Sequence, residues 1–155
     1  MKTIRKNMML FFFLSFAAVS CESTRTAVFD QYSYQKTTEL KVEASKLMDK
    51  ATAPYAKHQQ ETEAFFLQVE KLIEYEKNKP DNEITFAMWK LLTDEEKNLL
   101  SGFFKHWKEK ESLSPVFLQE SKKQVMEAMD MLIQYEIKKD KTSKDGLLSL
   151  INSNK

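Results

Sequence analysis

Two glycines among 155 residues leave this chain few places to reverse direction tightly. Sheet-rich folds need glycine, asparagine or proline at turn after turn, because hairpin turns place backbone at positive φ or at a preset φ. Only three prolines are present, and no stretch alternates polar and apolar residues. The fold class predicted is therefore all-α. The length suits one domain of ordinary size. A single cysteine, Cys21, excludes an intrachain disulfide and any multi-cysteine metal site. A formal net charge of +1 gives no ground for a nucleic-acid partner.

Residues 1–20 differ in composition from the rest. Lys2, Arg5 and Lys6 make a basic start, Met8 to Val19 is almost wholly apolar, and no acidic residue occurs before Glu22. A basic segment, a short apolar segment and small residues at its end form a secretory signal. The apolar run of about twelve residues is too short to span a bilayer, which takes roughly twenty.

The end of this leader, Ala18-Val19-Ser20-Cys21, resembles the lipobox of bacterial lipoproteins. The resemblance implies a diacylglycerol thioether on the Cys21 sulfur, cleavage before Cys21, and acylation of the amine so freed. A thiol suits this chemistry because it is the stronger nucleophile near neutral pH. Ala18 departs from the family's usual Leu. The alternative is an ordinary secretory signal with Ala18 and Ser20 as its small residues and Cys21 left as a free thiol. Removal of the leader takes three of the 24 basic residues and none of the 23 acidic ones, so the net charge becomes −2. Residues 21–27 are read as the lipidated cysteine and a short tether. Glu22 to Ala27 reaches only about 20 Å when fully extended, which keeps the folded part close to the membrane.

Residues 28–141 are predicted to form an antiparallel bundle of four or five helices, and 142–155 a polar, amphipathic tail. Leu40, Ala44, Leu47 and Ala51 share one face of a first helix read from Val28 to Ala51. Pro54 interrupts it, with either a cap at Thr52 or a kink. Phe65, Val69 and Leu72 mark a second helix to about Lys79, widened by Phe66, Ile73 and Tyr75. Asn78-Lys79-Pro80-Asp81-Asn82 reads as a break. A short helix follows with Ile84, Met88 and Leu91 inward. Thr93 and Glu96 form an apparent capping box for a helix carrying Leu99, Leu100, Phe103 and Trp107. Gly102 lies within that helix, at a cost of about 1 kcal/mol relative to Ala unless it permits close packing. Ser114-Pro115 opens the last long helix as N-cap and first-turn proline, with Leu118, Val125, Met129, Leu132 and Tyr135 buried. The tail residues Leu147, Leu148, Leu150 and Ile151 either dock on the bundle or touch lipid.

Chemical motifs are sparse. His58 and His106 lack the Glu-x-x-His spacing of a helical di-metal site, since Glu61 follows His58 and Phe103 stands where His106 would need its glutamate. Ser33-Tyr34-Gln35-Lys36 matches the S-x-x-K of penicillin-binding enzymes in four letters alone. No nucleophile–base pair, phosphate loop or metal set is evident, so neither catalysis nor a cofactor is expected beyond the covalent lipid. Adjacent bulky residues are more informative. Neighbours on a helix point about 100° apart, so Phe65 with Phe66, Trp89 beside Met88, and Phe103, Phe104 and Trp107 cannot all face one seam. Either the core is wide enough to bury them or some form an exposed interaction surface.

Asp30-Gln31-Tyr32, Lys46-Leu47-Met48-Asp49-Lys50-Ala51, Asn82-Glu83-Ile84-Thr85 and Met88-Trp89 together look similar to small helical lipoproteins of Bacteroidota. That resemblance carries no assigned activity. It implies an envelope location, and it favours the outer membrane over the inner. The function expected is that of a membrane-anchored, non-enzymatic interaction module with a protein partner in the envelope, an immunity or inhibitor protein being one version. The alternative is a bundle holding a hydrophobic small molecule or haem between its helices.

Overall fold

The computed structural model describes residues 26–154. Cys21 and the lipobox residues Ala18, Val19 and Ser20 lie outside that range. Six α-helices account for the described chain: α1 (Gln31–Met48), α2 (Gln59–Asn78), α3 (Glu83–Leu92), α4 (Leu100–Lys110), α5 (Pro115–Lys138) and α6 (Lys141–Ser153). No strand occurs among the described residues. Helix α1 packs antiparallel between α2 and α5, while α6 folds back on α5 and also covers α3. The helix count exceeds the expected four or five because the stretch read as a tail forms α6. Asp140 caps it by accepting from the Ser143 N–H at 2.8 Å, and Leu147 is fully buried in the common core. Docking on the bundle is therefore the outcome for this segment.

Local chemistry explains where the helices start. Asp30 accepts from the N–H groups of Tyr32 and Ser33, so α1 begins at Gln31, three residues later than the apolar pattern suggested. Ser114 accepts from the Phe117 N–H, with Pro115 at the first helical position. The Thr93–Glu96 capping box does not form. The Thr93 hydroxyl donates back to the Trp89 carbonyl at 2.8 Å and closes α3. The following helix, α4, starts only at Leu100.

Pro54 produces neither a kink nor a cap at Thr52. Two 3-10 turns, Asp49–Thr52 and Tyr55–Lys57, separate α1 from α2. Their backbone groups find partners across the fold. The Trp107 indole N–H donates to the Ala53 carbonyl at 2.9 Å, the Tyr55 N–H to Glu111, and the Leu113 N–H to Ala51. Tyr55 and Trp107 meet edge to face, 5.3 Å between ring centroids. A proline break thus becomes the seat on which the C-terminal end of α4 is held.

Gly102 has a specific steric reason. A Cβ there would stand 1.8 Å from the Lys97 carbonyl oxygen, so the loop before α4 folds over its first turn only above a bare Cα. At Gly146, in α6, an added Cβ meets only the Met131 Cε at 3.5 Å, an ordinary contact. The two glycines should respond with opposite sign. Gly102→Ala is expected to lower stability by about 3 kcal/mol through forced backbone displacement. Gly146→Ala is expected to raise it by about 0.5–1 kcal/mol. Urea unfolding of both variants measures the difference.

Candidate functional site

The six aromatic residues weighed as an interaction surface belong to the wide interior. Trp89 and Trp107 are fully buried, Phe65, Phe103 and Phe104 nearly so, and Phe66 is half-buried. Met88 with Trp89 and Phe103 with Phe104 are buried as pairs, and Phe65 and Phe66 both pack against Phe104. Phe65 turns toward α1, where it lines a shallow surface with Leu47, and Phe66 turns toward α4. An exposed patch is therefore not built from these six.

Two of them, Phe66 and Phe104, help to line the floor of a groove. It runs between α2 and α4, is closed at one end by Tyr55, and has a volume of about 830 Å³. Phe66, Val69 and Ile73 from α2 and Phe104 from α4 supply the apolar floor. Phe66 and Phe104 meet edge to face at 5.3 Å, which fixes the floor's shape. Charges of both signs rim it: Glu63 and Glu70 on α2, Lys105, Lys108 and Glu109 on α4. The groove thus combines an apolar floor with edges that carry charges of both signs.

The sequence candidates for catalysis do not come together. The Ser33 hydroxyl accepts from Lys79 at 2.8 Å, while Lys36 pairs with Glu39. His58 packs on the Trp107 ring, and His106 on Phe117. Among the described residues, no group of three or more His, Cys, Asp and Glu side chains is placed to hold a metal ion. No described helix is long and apolar enough to cross a membrane.

A second constellation was missed from sequence. At the end of the bundle where α1 starts and α2 and α5 finish, Glu76 and Glu136 are almost completely buried. Lys79 reaches Glu76 at 3.1 Å and Glu136 at 3.7 Å, and Lys139 reaches Glu136 at 2.6 Å. Lys139 also lies over the Tyr135 ring, 4.6 Å from its centroid. The Asn82 amide donates to Glu76 at 2.6 Å. Asp30 joins through its backbone N–H, which donates to Glu136 at 3.0 Å, and through its carboxylate, which accepts from the Tyr75 hydroxyl at 2.6 Å. One Glu76 oxygen and the Asn82 carbonyl oxygen are buried without a protein partner.

A signal for this cluster was present. The buried stripe of α2 runs Phe65, Val69, Leu72, Glu76, and that of α5 runs Val125, Met129, Leu132, Glu136, with the same spacings. In each, a glutamate takes the next stripe position and a lysine follows three residues later. A charge in an apolar register, repeated at the same place in two helices, marks a buried ion pair.

The cluster shifts its own titrations. Burial alone would raise the Asp30 carboxyl, but the bonds from Tyr75, Ser33 and Tyr32 and the charge of Lys79 outweigh it and hold it below its ordinary value. The bond to Asp30 pushes the Tyr75 hydroxyl up to about 12. Burial draws the Lys139 ammonium down, against the pull of Glu136.

No family model, no curated protein and no solved structure matches this chain.

Because the folded-state value of Asp30 lies below its unfolded one, the unfolded chain takes up that proton first as pH falls. Its contribution to stability is complete above the unfolded value and is lost as pH falls through the folded one. Asp30→Asn keeps a capping oxygen but removes this titration. Its urea midpoint should therefore fall less steeply than that of the parent between about pH 5 and pH 2. Equal slopes for the two proteins would assign the acid sensitivity to other groups.

Proposed function

We propose that this chain is a lipid-anchored protein of the bacterial cell envelope that acts by binding rather than by catalysis. The observation that carries the reading is the Ala18-Val19-Ser20-Cys21 motif at the end of a basic, then apolar, leader. A free thiol at the start of a secreted chain is chemically exposed, whereas a thioether there is inert and anchoring. Several acyl chains hold a protein stably where one is marginal. The likeness to Bacteroidota lipoproteins supports the outer membrane. Cys21→Ala should abolish metabolic labelling with a radioactive fatty acid and release the protein from the membrane fraction. Undiminished labelling of that variant would overturn the anchor.

The binding surface proposed is the α2/α4 groove, and its occupant an amphipathic helix of an envelope protein. Helix α4 has eleven residues, so the groove is about 16 Å long and accepts roughly three turns. An apolar floor with mixed charges at its rim is the complement of such a helix, as in other helix-in-groove complexes. An immunity or inhibitor protein would use the groove in the same way. The groove volume also suits a hydrophobic small molecule, the second reading. A photo-crosslinking phenylalanine analogue at Phe66 tests both in intact cells. A discrete protein adduct, weakened when the exposed rim charge is reversed by Lys108→Glu, is expected. Adducts to small molecules alone would favour the second reading, and native mass spectrometry would identify the molecule.

A further inference from the structure

We infer that the end of the bundle where the chain enters at Ala27 rests on the bilayer itself, through an apolar rim formed by Val28, Phe29, Tyr32, Tyr75 and Ile137. This deepens the anchor reading of Cys21 and depends on it. The five residues are solvent-exposed, Val28 at 82% and the others between 41% and 48%. They come from three segments but share one end. Val28 and Phe29 precede α1 and Tyr32 lies in its first turn, Tyr75 in the last turn of α2, and Ile137 in the last turn of α5. Tyr32 and Tyr75 are in ring contact at 4.7 Å, and Phe29 meets Tyr34 at 6.1 Å on the other side of α1. Ile137 follows one turn after Ile133, which faces Tyr34 across the α1/α5 surface.

Chain length says what covers this rim. Ala27 is buried, and its N–H donates to the Asp81 carbonyl at 2.9 Å, so the chain is fixed to the bundle from that residue onward. From Cys21 to Ala27 the chain can span at most about 20 Å. A lipidated Cys21 therefore holds the rim within that distance of the headgroups. Phenylalanine, tyrosine and isoleucine exposed there lose water contact by settling into the headgroup layer, with the Tyr75 hydroxyl still bonded to Asp30. Charge does not drive the contact. Exposed Lys77, Lys138 and Lys141 are offset by Glu74, Asp81, Glu83 and Asp140 at the same end. The attraction is apolar, so it does not require anionic lipid.

Val116 and Phe117 are also exposed, but they lie at the far end of α5, about 30 Å from Ile137. They supply the control. The full chain is produced in a host that acylates it and is reconstituted in phosphatidylcholine vesicles. Thioether formation blocks Cys21, so a nitroxide label reacts only with an introduced cysteine: Val28→Cys, Ile137→Cys or Val116→Cys. Collision of each label is measured with oxygen, which concentrates in lipid, and with a water-soluble nickel chelate. At positions 28 and 137 the oxygen-to-nickel ratio should be several-fold higher than at 116, and insensitive to salt. Acylated protein with equal ratios at all three positions would overturn the membrane contact and leave the anchor standing. Nitroxide labelling of Cys21 itself would overturn the anchor, and the membrane contact with it.

Discussion

Glu76 and Glu136 share Lys79 inside a bundle that offers them almost no water, and every nearby helix end is placed by that requirement. Lys139 closes α5 over Glu136, and Asn82 turns back from the start of α3 to Glu76. Asp30 caps α1 while its own N–H is spent on Glu136. Desolvation offsets much of the attraction in such a cluster, so its net stabilisation is small. Its consequence is register. Sliding α2 along α5 would part Lys79 from Glu136, and sliding α1 would take the Asp30 N–H from Glu136, while the pairs three residues apart would persist.

The same end of the molecule carries the entry of the chain from Cys21. The ion cluster and the apolar rim are thus neighbours with separate tasks. The cluster holds α1, α2 and α5 level with one another, and the rim occupies the surface that this levelling exposes. The groove between α2 and α4 depends instead on the Pro54 break. By bonding to Trp107 and to residues 111–113, the break fixes where the C-terminal end of α4 lies relative to α2. Gly102 fixes the other end of α4, by letting the preceding loop pass directly over it.

Much of the fold was legible because helix formation is a local matter. Periodicity located α1, α2, α3 and α5, and Ser114-Pro115 and Asn78–Asn82 marked real boundaries. The errors have a common cause. Thr93 satisfied the rules for opening a helix, yet its hydroxyl bonded backward and closed one instead. Leu147 lay in a polar stretch that looked like a tail until α3 and α5 supplied a surface to bury it. The aromatic pairs left two readings open, because a helix cannot report how many neighbours surround it. Glu76 and Glu136 sit among charges of both signs, as at Glu74–Lys77, and only their register in the apolar stripe sets them apart.

The sequence by itself determined the helical class and the boundaries at Asn78–Asn82 and Ser114-Pro115, and it carries the basic, then apolar, segment before Cys21. These depend on neighbouring residues and on chemistry carried within a few positions. Only the tertiary structure decided which carboxylates are buried, which aromatics form a groove floor, and which apolar residues remain exposed at the end where the chain enters at Ala27. Those outcomes require surfaces that residues dozens of positions apart provide to one another, as Asp30 and Glu136 do across 106 positions of chain.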